Sequence, residues 1–331
     1  MPCKNRGQLL EKGGEAMGGI WVFAENQENT LELLNKGQEI ARDLHEKLVA
    51  FATSRTMAEN YIAYGADQIY LLPPLTEKEA WGDYLYAIAD EAVKLLPAVI
   101  LIAGTMRGRE MAARLAQKLN TGLCSGCINL SVNQSGQLEM QRLIYGGAAV
   151  QTVVCTGTPQ MAAIPPRTFE PAPYQEGHPG QIGELFLTPQ SSVKIQELKP
   201  VVSAEGNLAE ARVVICAGRG IEKEEDMEMI RRLAQATDGQ IGCTRPISEE
   251  LHWLPEDLCI GLSGQQVKPD LYVGVGVSGQ IQHTTGIRES KVVLAINRDE
   301  NAPVFEVADF GVIGDLYEVI PKLTDELEKR K

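Results

Sequence analysis

Residues 271–283 read LYVGVGVSGQIQH, an apolar strand that runs into a glycine turn and then into a polar stretch able to open a helix. Gly274, Gly276 and Gly279 satisfy G-x-G-x-x-G. That spacing lets the backbone turn tightly, approach a phosphate and offer N–H donors at the positive end of a helix dipole. Glycines at a strand end serve plain turns as well, so the motif takes its meaning from its neighbours.

Outward from this stretch the second half alternates strand and helix: ARVVICAG from Ala211 as a strand, GRGI as a turn, KEEDMEMIRRLAQAT as a helix and IGCTRP as the next strand. KVVLAINRD and a terminal helix from Leu316 to about Arg330 follow the glycine stretch. The first half has the same grammar. IWVFAE, VAFAT and QIYLL are expected strands, with helices at 31–48, around Tyr61 and at 77–96. The fully apolar AVILIAG then leads into a helix over REMAARLAQKL. Past Leu123 the pieces CINLSV, QLEMQRLIYG, AVQTVVCTG and MAAIPP predict an antiparallel edge or extension. PPRTFEPAPYQEGHPG at 165–180 reads as a loop with an exposed His178, and VKIQELKPVV as the strand that finishes the first domain. The expected class is α/β, two Rossmann-like open-sheet domains, the C-terminal one doubly wound. The boundaries expected are a tail at 1–17, an α/β domain at 18–204 and a second at 205–331.

The 331 residues, 44% hydrophobic, suffice for two cores. No apolar run reaches the roughly 18 to 20 residues of a membrane span, and the N-terminal segment lacks a signal-peptide core. A soluble protein of a bacterial or archaeal cytoplasm is expected. A net charge of −13 argues against nucleic acid as a partner. The seven cysteines read as reduced thiols. Cys124 and Cys127 form a C-x-x-C, but no second pair stands at metal-ligand spacing, and the two read as small buried residues. Thr105, Arg107 and Arg109 read as a structural or subunit-contact group rather than an anion site.

Several polar residues fall where strands of the second half should end: Arg219, Thr244 with Arg245, Ser263, Ser278 with Gly279, and Asn297. A parallel sheet places such ends on one edge, where glycines, hydroxyls and two arginines together suit an anionic dinucleotide. His283 stands four residues past Gly279, on the first turn beside that ligand. No G-x-S-x-G, H-E-x-x-H or P-loop accompanies it.

The runs GLSGQQVKPDLYVGVGVSGQIQH and SKVVLAINRDENAPVFEVADFGVIGDLYEVIP resemble the flavin domain of the electron-transfer flavoprotein alpha subunit family. AGRG and TR upstream extend the likeness, and IWVFAE and GREMAARLAQKLNTGL resemble that family's first domain. The resemblance implies FAD held by the second domain, and a heterodimer whose beta subunit carries AMP or a second flavin. It implies electron exchange with a flavin dehydrogenase or the partner's flavin, including within an electron-bifurcating acyl-CoA dehydrogenase complex, with no organic substrate transformed. The residues it assigns to FAD are Arg219, Thr244, Arg245, Ile260, Gly261, Leu262, Ser263, Ser278, Gly279, Gln280, Ile281, Gln282, His283, Asn297, Asp309 and Phe310. Ser263 would partner flavin N5, Arg245 would lie over the ring system, and His283 would donate near N1 and O2. Asn297 and Asp309 would serve the adenosine and phosphate end.

Leu262 replaces the family's common glutamine, Thr244 its frequent serine, and Pro246 follows Arg245 directly, which disfavours a helical backbone at the arginine. No cysteine-rich ferredoxin segment is present, so no iron–sulfur cluster is expected. Two other readings of the same residues are a non-redox module holding ADP or NAD and a nicotinamide dehydrogenase. The latter would use Asp299, twenty residues past Gly279, as ribose acceptor and His252 as acid or base. Simple packing beside Trp253 accounts for His252 without either.

Overall fold

The computed structural model describes residues 18–77, 79–186, 194–197, 208 and 211–330. The chain divides into two compact units, residues 1–198 and 199–331. The tail expected at 1–17 lies outside the described residues. So do the residues on both sides of the expected 204/205 boundary. Of VKIQELKPVV only 194–197 are described, and they form no strand.

In the first unit β1 (Ile20–Phe23), β2 (Leu48–Ala52), β3 (Gln68–Leu71) and β4 (Val99–Ala103) alternate with α1 (Gln27–Leu44), α2 (Arg55–Ala63), α3 (Tyr84–Leu95) and α4 (Met106–Lys118). α1 starts four residues before the expected Leu31 because the Asn26 side chain caps Asn29 N–H, and it ends where His45 turns left-handed at φ 55°. α3 starts at Tyr84 rather than Glu77, after the helical turn Trp81–Asp83. The apolar strand residues divide by alternation. Trp21, Phe23, Phe51 and Ile100 pack on α3 and α4, and Ile20, Val22, Ala50 and Leu101 on α1 and α2, so both faces are covered.

Past α4 come β5 (Leu123–Ser125), β6 (Cys127–Val132), β7 (Leu138–Ile144), β8 (Ala149–Val154), β9 (Gln160–Ile164) and β10 (Gln181–Glu184). The expected antiparallel extension is β6-β7-β8. MAAIPP does not belong to it: β9 lies between β4 and β5 in the parallel sheet, of order β10-β3-β2-β1-β4-β9-β5. Met161–Ile164 are buried throughout, which suits an interior strand and not an edge. The loop at 165–180 contains no helix or strand. His178 is not free in solvent, because its Nε2 lies 3.3 Å from the Asp67 carboxylate. Thr105 accepts the Gly108 N–H at the start of α4, and Arg107 lies 3.6 Å from Glu25, as fits a structural group.

The second unit comprises β11 (Val213–Ala217), α5 (Met227–Thr237), β12 (Gln240–Cys243), β13 (Leu271–Val275), β14 (Val293–Asn297), β15 (Phe310–Ile313) and α6 (Leu316–Glu328). Its all-parallel sheet has order β12-β11-β13-β14-β15. Numbered within the unit this is 2-1-3-4-5, the doubly wound order whose ligand crevice lies at the carboxyl ends beside the first and third strands. Among the described residues no helix is long and apolar enough to cross a membrane.

Candidate functional site

The carboxyl ends of the five second-unit strands lie on one edge, which four spacings of about 4.8 Å make roughly 19 Å long. Arg219 follows β11, Thr244 and Arg245 follow β12, Ser278 follows β13, and Asn297 ends β14. The structure therefore brings these expected residues together. A cavity of about 410 Å³ opens there, lined by Arg219, Ser278, Gln280, Asn297 and Asp315 among others.

The glycines of the turn have steric reasons of their own. The Gly218 and Gly220 N–H groups donate to the Val275 and Gly276 carbonyls at 2.9 Å, drawing the β11 and β13 loops into backbone contact. A Cβ on Gly276 (φ 63°) would meet Gly220 Cα at 2.9 Å, and one on Gly279 (φ 84°) would meet Val304 N at 2.1 Å. The motif thus fixes loop packing beneath the cavity. The helix after it is a single turn, Ile281–Thr284.

Thr244, Arg245, Leu262, Ser263 and Ile281 stand outside the cavity lining, on the β12 side. The Thr244 Oγ1 is buried and has no hydrogen-bond partner. Leu262 and Ile281, both in the expected site, are 60% and 54% exposed and so leave an uncovered apolar pair. Arg245 keeps an α-helical backbone (φ −47°, ψ −43°) despite Pro246. Its guanidinium donates to Ser263 Oγ, and its Nε lies 3.1 Å from the Glu249 carboxylate. Because the serine oxygen accepts, its own O–H remains available to a ligand. Gly261 takes φ 149° where a Cβ would meet the Gln282 carbonyl at 2.6 Å, and Leu262 N–H donates to that carbonyl at 2.7 Å. This ties the 260–263 loop to the 280–283 turn. An unspent buried hydroxyl, two uncovered apolar side chains, two cations and a polar cavity along one edge fit a flavin dinucleotide.

Four expectations need correction. Asp309 and Phe310 lie at the amino end of β15, opposite the cavity, since Phe310 is in register with Leu294 near the start of β14. The Asp309 carboxylate accepts the Val293 N–H at 2.8 Å and so fastens β15 to β14. Sequence reasoning missed Asp315 and Leu316, which follow the carboxyl end of β15 and line the cavity. Asp315 caps α6 by accepting the Tyr317 N–H at 2.8 Å, a signal readable as an aspartate before a helix.

The His283 ring is no free donor here. Its Nδ1 lies 3.0 Å from the Ile260 carbonyl and its Nε2 2.7 Å from the Tyr272 hydroxyl. A carbonyl only accepts, so Nδ1 carries the proton and Nε2 takes the Tyr272 O–H. Burial pushes the His283 pKa down to about 4, leaving the ring neutral. Ile260 is itself buried and offers backbone only. Asn297 also spends its side chain internally, donating to the Val277 carbonyl at 2.8 Å and accepting the Asp299 N–H at 2.9 Å. Asp299 lines the cavity, but its carboxylate accepts the Asn301 N–H at 3.0 Å within its own turn. His252 hydrogen-bonds the Ser248 carbonyl at 3.0 Å, in keeping with packing.

Comparison with known proteins adds two family matches: the electron transfer flavoprotein domain over residues 20–189 and the electron transfer flavoprotein FAD-binding domain over residues 207–288. The electron transfer flavoprotein subunit alpha of Syntrophomonas wolfei is 34% identical over 326 residues, covering 95% of this chain and 100% of that protein. That of Clostridium acetobutylicum is 31% identical over 326 residues, covering 94% and 97%. Protein FixB of Azorhizobium caulinodans is 33% identical over 332 residues, covering 94% and 89%. With matches that run through both units, the chain belongs to the electron transfer flavoprotein alpha subunit family, its second unit being that family's flavin-binding domain.

Proposed function

We propose that the chain is the FAD-carrying half of a cytoplasmic heterodimer, which accepts electrons from a flavin dehydrogenase or from a flavin on its beta subunit and passes them to another redox protein. FAD supplies the one- and two-electron chemistry. The chain's residues bind it, orient it and set the charge around it. The adenosine diphosphate end is assigned to the cavity, with Arg219 against the phosphates and Ser278 and Asp315 as polar contacts. The ring system is assigned to the β12 side, over Leu262 and Ile281, with the Ser263 O–H toward N5 and the Arg245 cation beside the ring.

The observation that carries this reading is the unpaired, buried Thr244 hydroxyl at the same strand-end edge as two uncovered apolar side chains and Arg245. A buried hydroxyl left without a partner costs about 1–3 kcal/mol, which a bound ligand recovers. None of the six described cysteines forms a disulfide, in keeping with a reducing compartment. Family membership does not favour a nicotinamide dehydrogenase or a non-redox ADP or NAD module.

The test is the visible spectrum of the purified complex, co-expressed with its neighbouring subunit, together with the identity of the flavin released on denaturation. Flavin bands bleached by stepwise anaerobic reduction, and FAD in the supernatant, are the expected result. A colourless, fully assembled complex holding ADP would overturn it.

A further inference from the structure

The C-x-x-C belongs to the first unit and forms a chemical cluster of its own. Cys124 lies in β5 of the parallel sheet and Cys127 opens β6 of the antiparallel one, with Ser125-Gly126 carrying the chain between the sheets at Gly126 φ 71°. Both are free and nearly inaccessible, Cys124 at 4% and Cys127 at 0% exposure. The Cys127 S–H donates to the Cys124 carbonyl at 3.3 Å, which holds the two residues against each other.

Arg142 is the register partner of Cys127 across β6 and β7, and its positive charge favours the Cys124 thiolate. Its Nε is buried with no hydrogen-bond partner. Packing alone does not ask for a cation with an unspent donor against two thiols. The pair is also asymmetric. The Cys127 S–H is spent on the Cys124 carbonyl, whereas Cys124 is the more accessible of the two. The neighbouring Cys127 thiol, then the Arg142 charge, lower the Cys124 pKa. Cys124 is thereby suited to act as a thiolate nucleophile and Cys127 as a protonated resolving thiol.

We propose that Cys124 and Cys127 form a redox-active dithiol, oxidised by small hydroperoxides to a reversible intrachain disulfide. A small oxidant is required because so little of Cys124 is accessible, and the free Arg142 Nε–H supplies a donor for a peroxide oxygen. The Cys124 thiolate attacks that oxygen and the O–O bond breaks. Hydroxide, or an alkoxide from an organic peroxide, leaves and takes up a proton, while Cys124 loses two electrons to become a sulfenic acid. The Cys127 sulfur then attacks the Cys124 sulfur; the S–S bond forms, the S–OH bond breaks, and water leaves with the Cys127 proton. A dithiol reductant restores both thiols by exchange. The closed disulfide would link the strand ends where the two sheets of this unit meet.

The test is peroxide treatment of the full-length protein, alkylation under denaturing conditions and peptide mass analysis. The peptide spanning Cys124 and Cys127 is expected to lose two hydrogens, both cysteines to lose alkylation together, and dithiothreitol to restore them. Cys127→Ser should stop at a Cys124 sulfenic acid captured by dimedone, and Arg142→Gln should slow oxidation at pH 7 by about tenfold through a smaller thiolate fraction. Full alkylation of both cysteines while the more exposed Cys155 oxidises would overturn the proposal. So would a sulfenic acid on Cys127 in Cys124→Ser. The wild-type mapping decides the matter even if a variant does not fold.

Discussion

His283 holds the Ile260 carbonyl at 3.0 Å through Nδ1, and this bond, with the one from Tyr272 to Nε2, joins the 260–263 loop to the core strand β13. Gly261, Leu262 and Ser263 directly follow the carbonyl so held. The imidazole therefore positions the loop to which the flavin ring is proposed to bind. A donor role toward the flavin would require the ring to give up one of these two partners.

The neutral state of that ring makes the fold sensitive to acid. His283 ionises near 6.5 when unfolded and near 4 when folded, because burial opposes the charge. Between those values the unfolded chain binds the extra proton. The contribution is therefore intact above about pH 6.5 and lost as pH falls toward 4. At about 1.4 kcal/mol per pH unit the loss is about 3 kcal/mol. Urea unfolding of flavin-free protein across this range should show that loss in the wild type and little of it in His283→Gln. Parallel pH profiles for the two proteins would refute the account.

The unpaired Thr244 hydroxyl separates a binding role from a structural one. Thr244→Val keeps the branched shape and removes a group that bonds nothing in the chain, so flavin-free stability should stay level or rise. Flavin affinity should fall by about tenfold, the worth of one hydrogen bond to the ligand. Equal dissociation constants in equilibrium dialysis would count against the cofactor's position on the β12 side.

Asp309 tests the opposite end of the sheet. Its carboxylate accepts the Val293 N–H and lies away from the cavity. Asp309→Ala should cost about 1 kcal/mol of stability and leave the flavin dissociation constant unchanged. A weakened flavin with unaltered urea midpoint would reinstate the aspartate as a cofactor contact.

The legible parts of this chain were those written in local pattern. The buried strand runs IWVFAE, AVILIAG and LYVGVGVSG, and the glycines at their ends, specify parallel sheets with loops on one edge, and the structure has them there. β9 was misassigned because MAAI is as apolar as a core strand yet follows three antiparallel strands, and chain order does not reveal insertion between β4 and β5. β10 is short and half exposed, with no periodicity to mark it. Strand-end position predicts that Arg219, Thr244, Ser278 and Asn297 share the carboxyl edge of the second sheet, and the structure has them there. What a side chain does once there was not legible. The ring of His283, the amide of Asn297 and the carboxylate of Asp309 look alike as ligand groups in a sequence, and all three are spent on backbone partners from other loops and strands. Glu249, four residues past Arg245, was readable from helical spacing but needed the turn Pro246–Glu250 to give it a reason.

Arg245 and Glu249 should shift the flavin potential in opposite directions. Reduction places negative charge on the ring system, which a nearby cation favours and a nearby carboxylate opposes. A unit charge at about 4 Å and an effective dielectric near 20 contributes about 4 kcal/mol, equivalent to about 170 mV for one electron. Arg245 is 54% exposed, so solvent reduces that figure, and the Glu249 carboxylate 3.1 Å from its Nε contributes a smaller shift of opposite sign. Arg245→Ala should therefore keep flavin bound and lower the first reduction potential by on the order of 100 mV. Glu249→Gln should raise it by a few tens of mV, about the share of the field the carboxylate cancels. The informative comparison is Arg245→Ala made in the Glu249→Gln background, where fields that simply superpose should make the arginine's removal lower the potential by about as much as it does in the wild type. Potentiometric titration of the four proteins measures all of this at once. A potential that does not move with Arg245 in either background would place the guanidinium too far from the ring to set its charge.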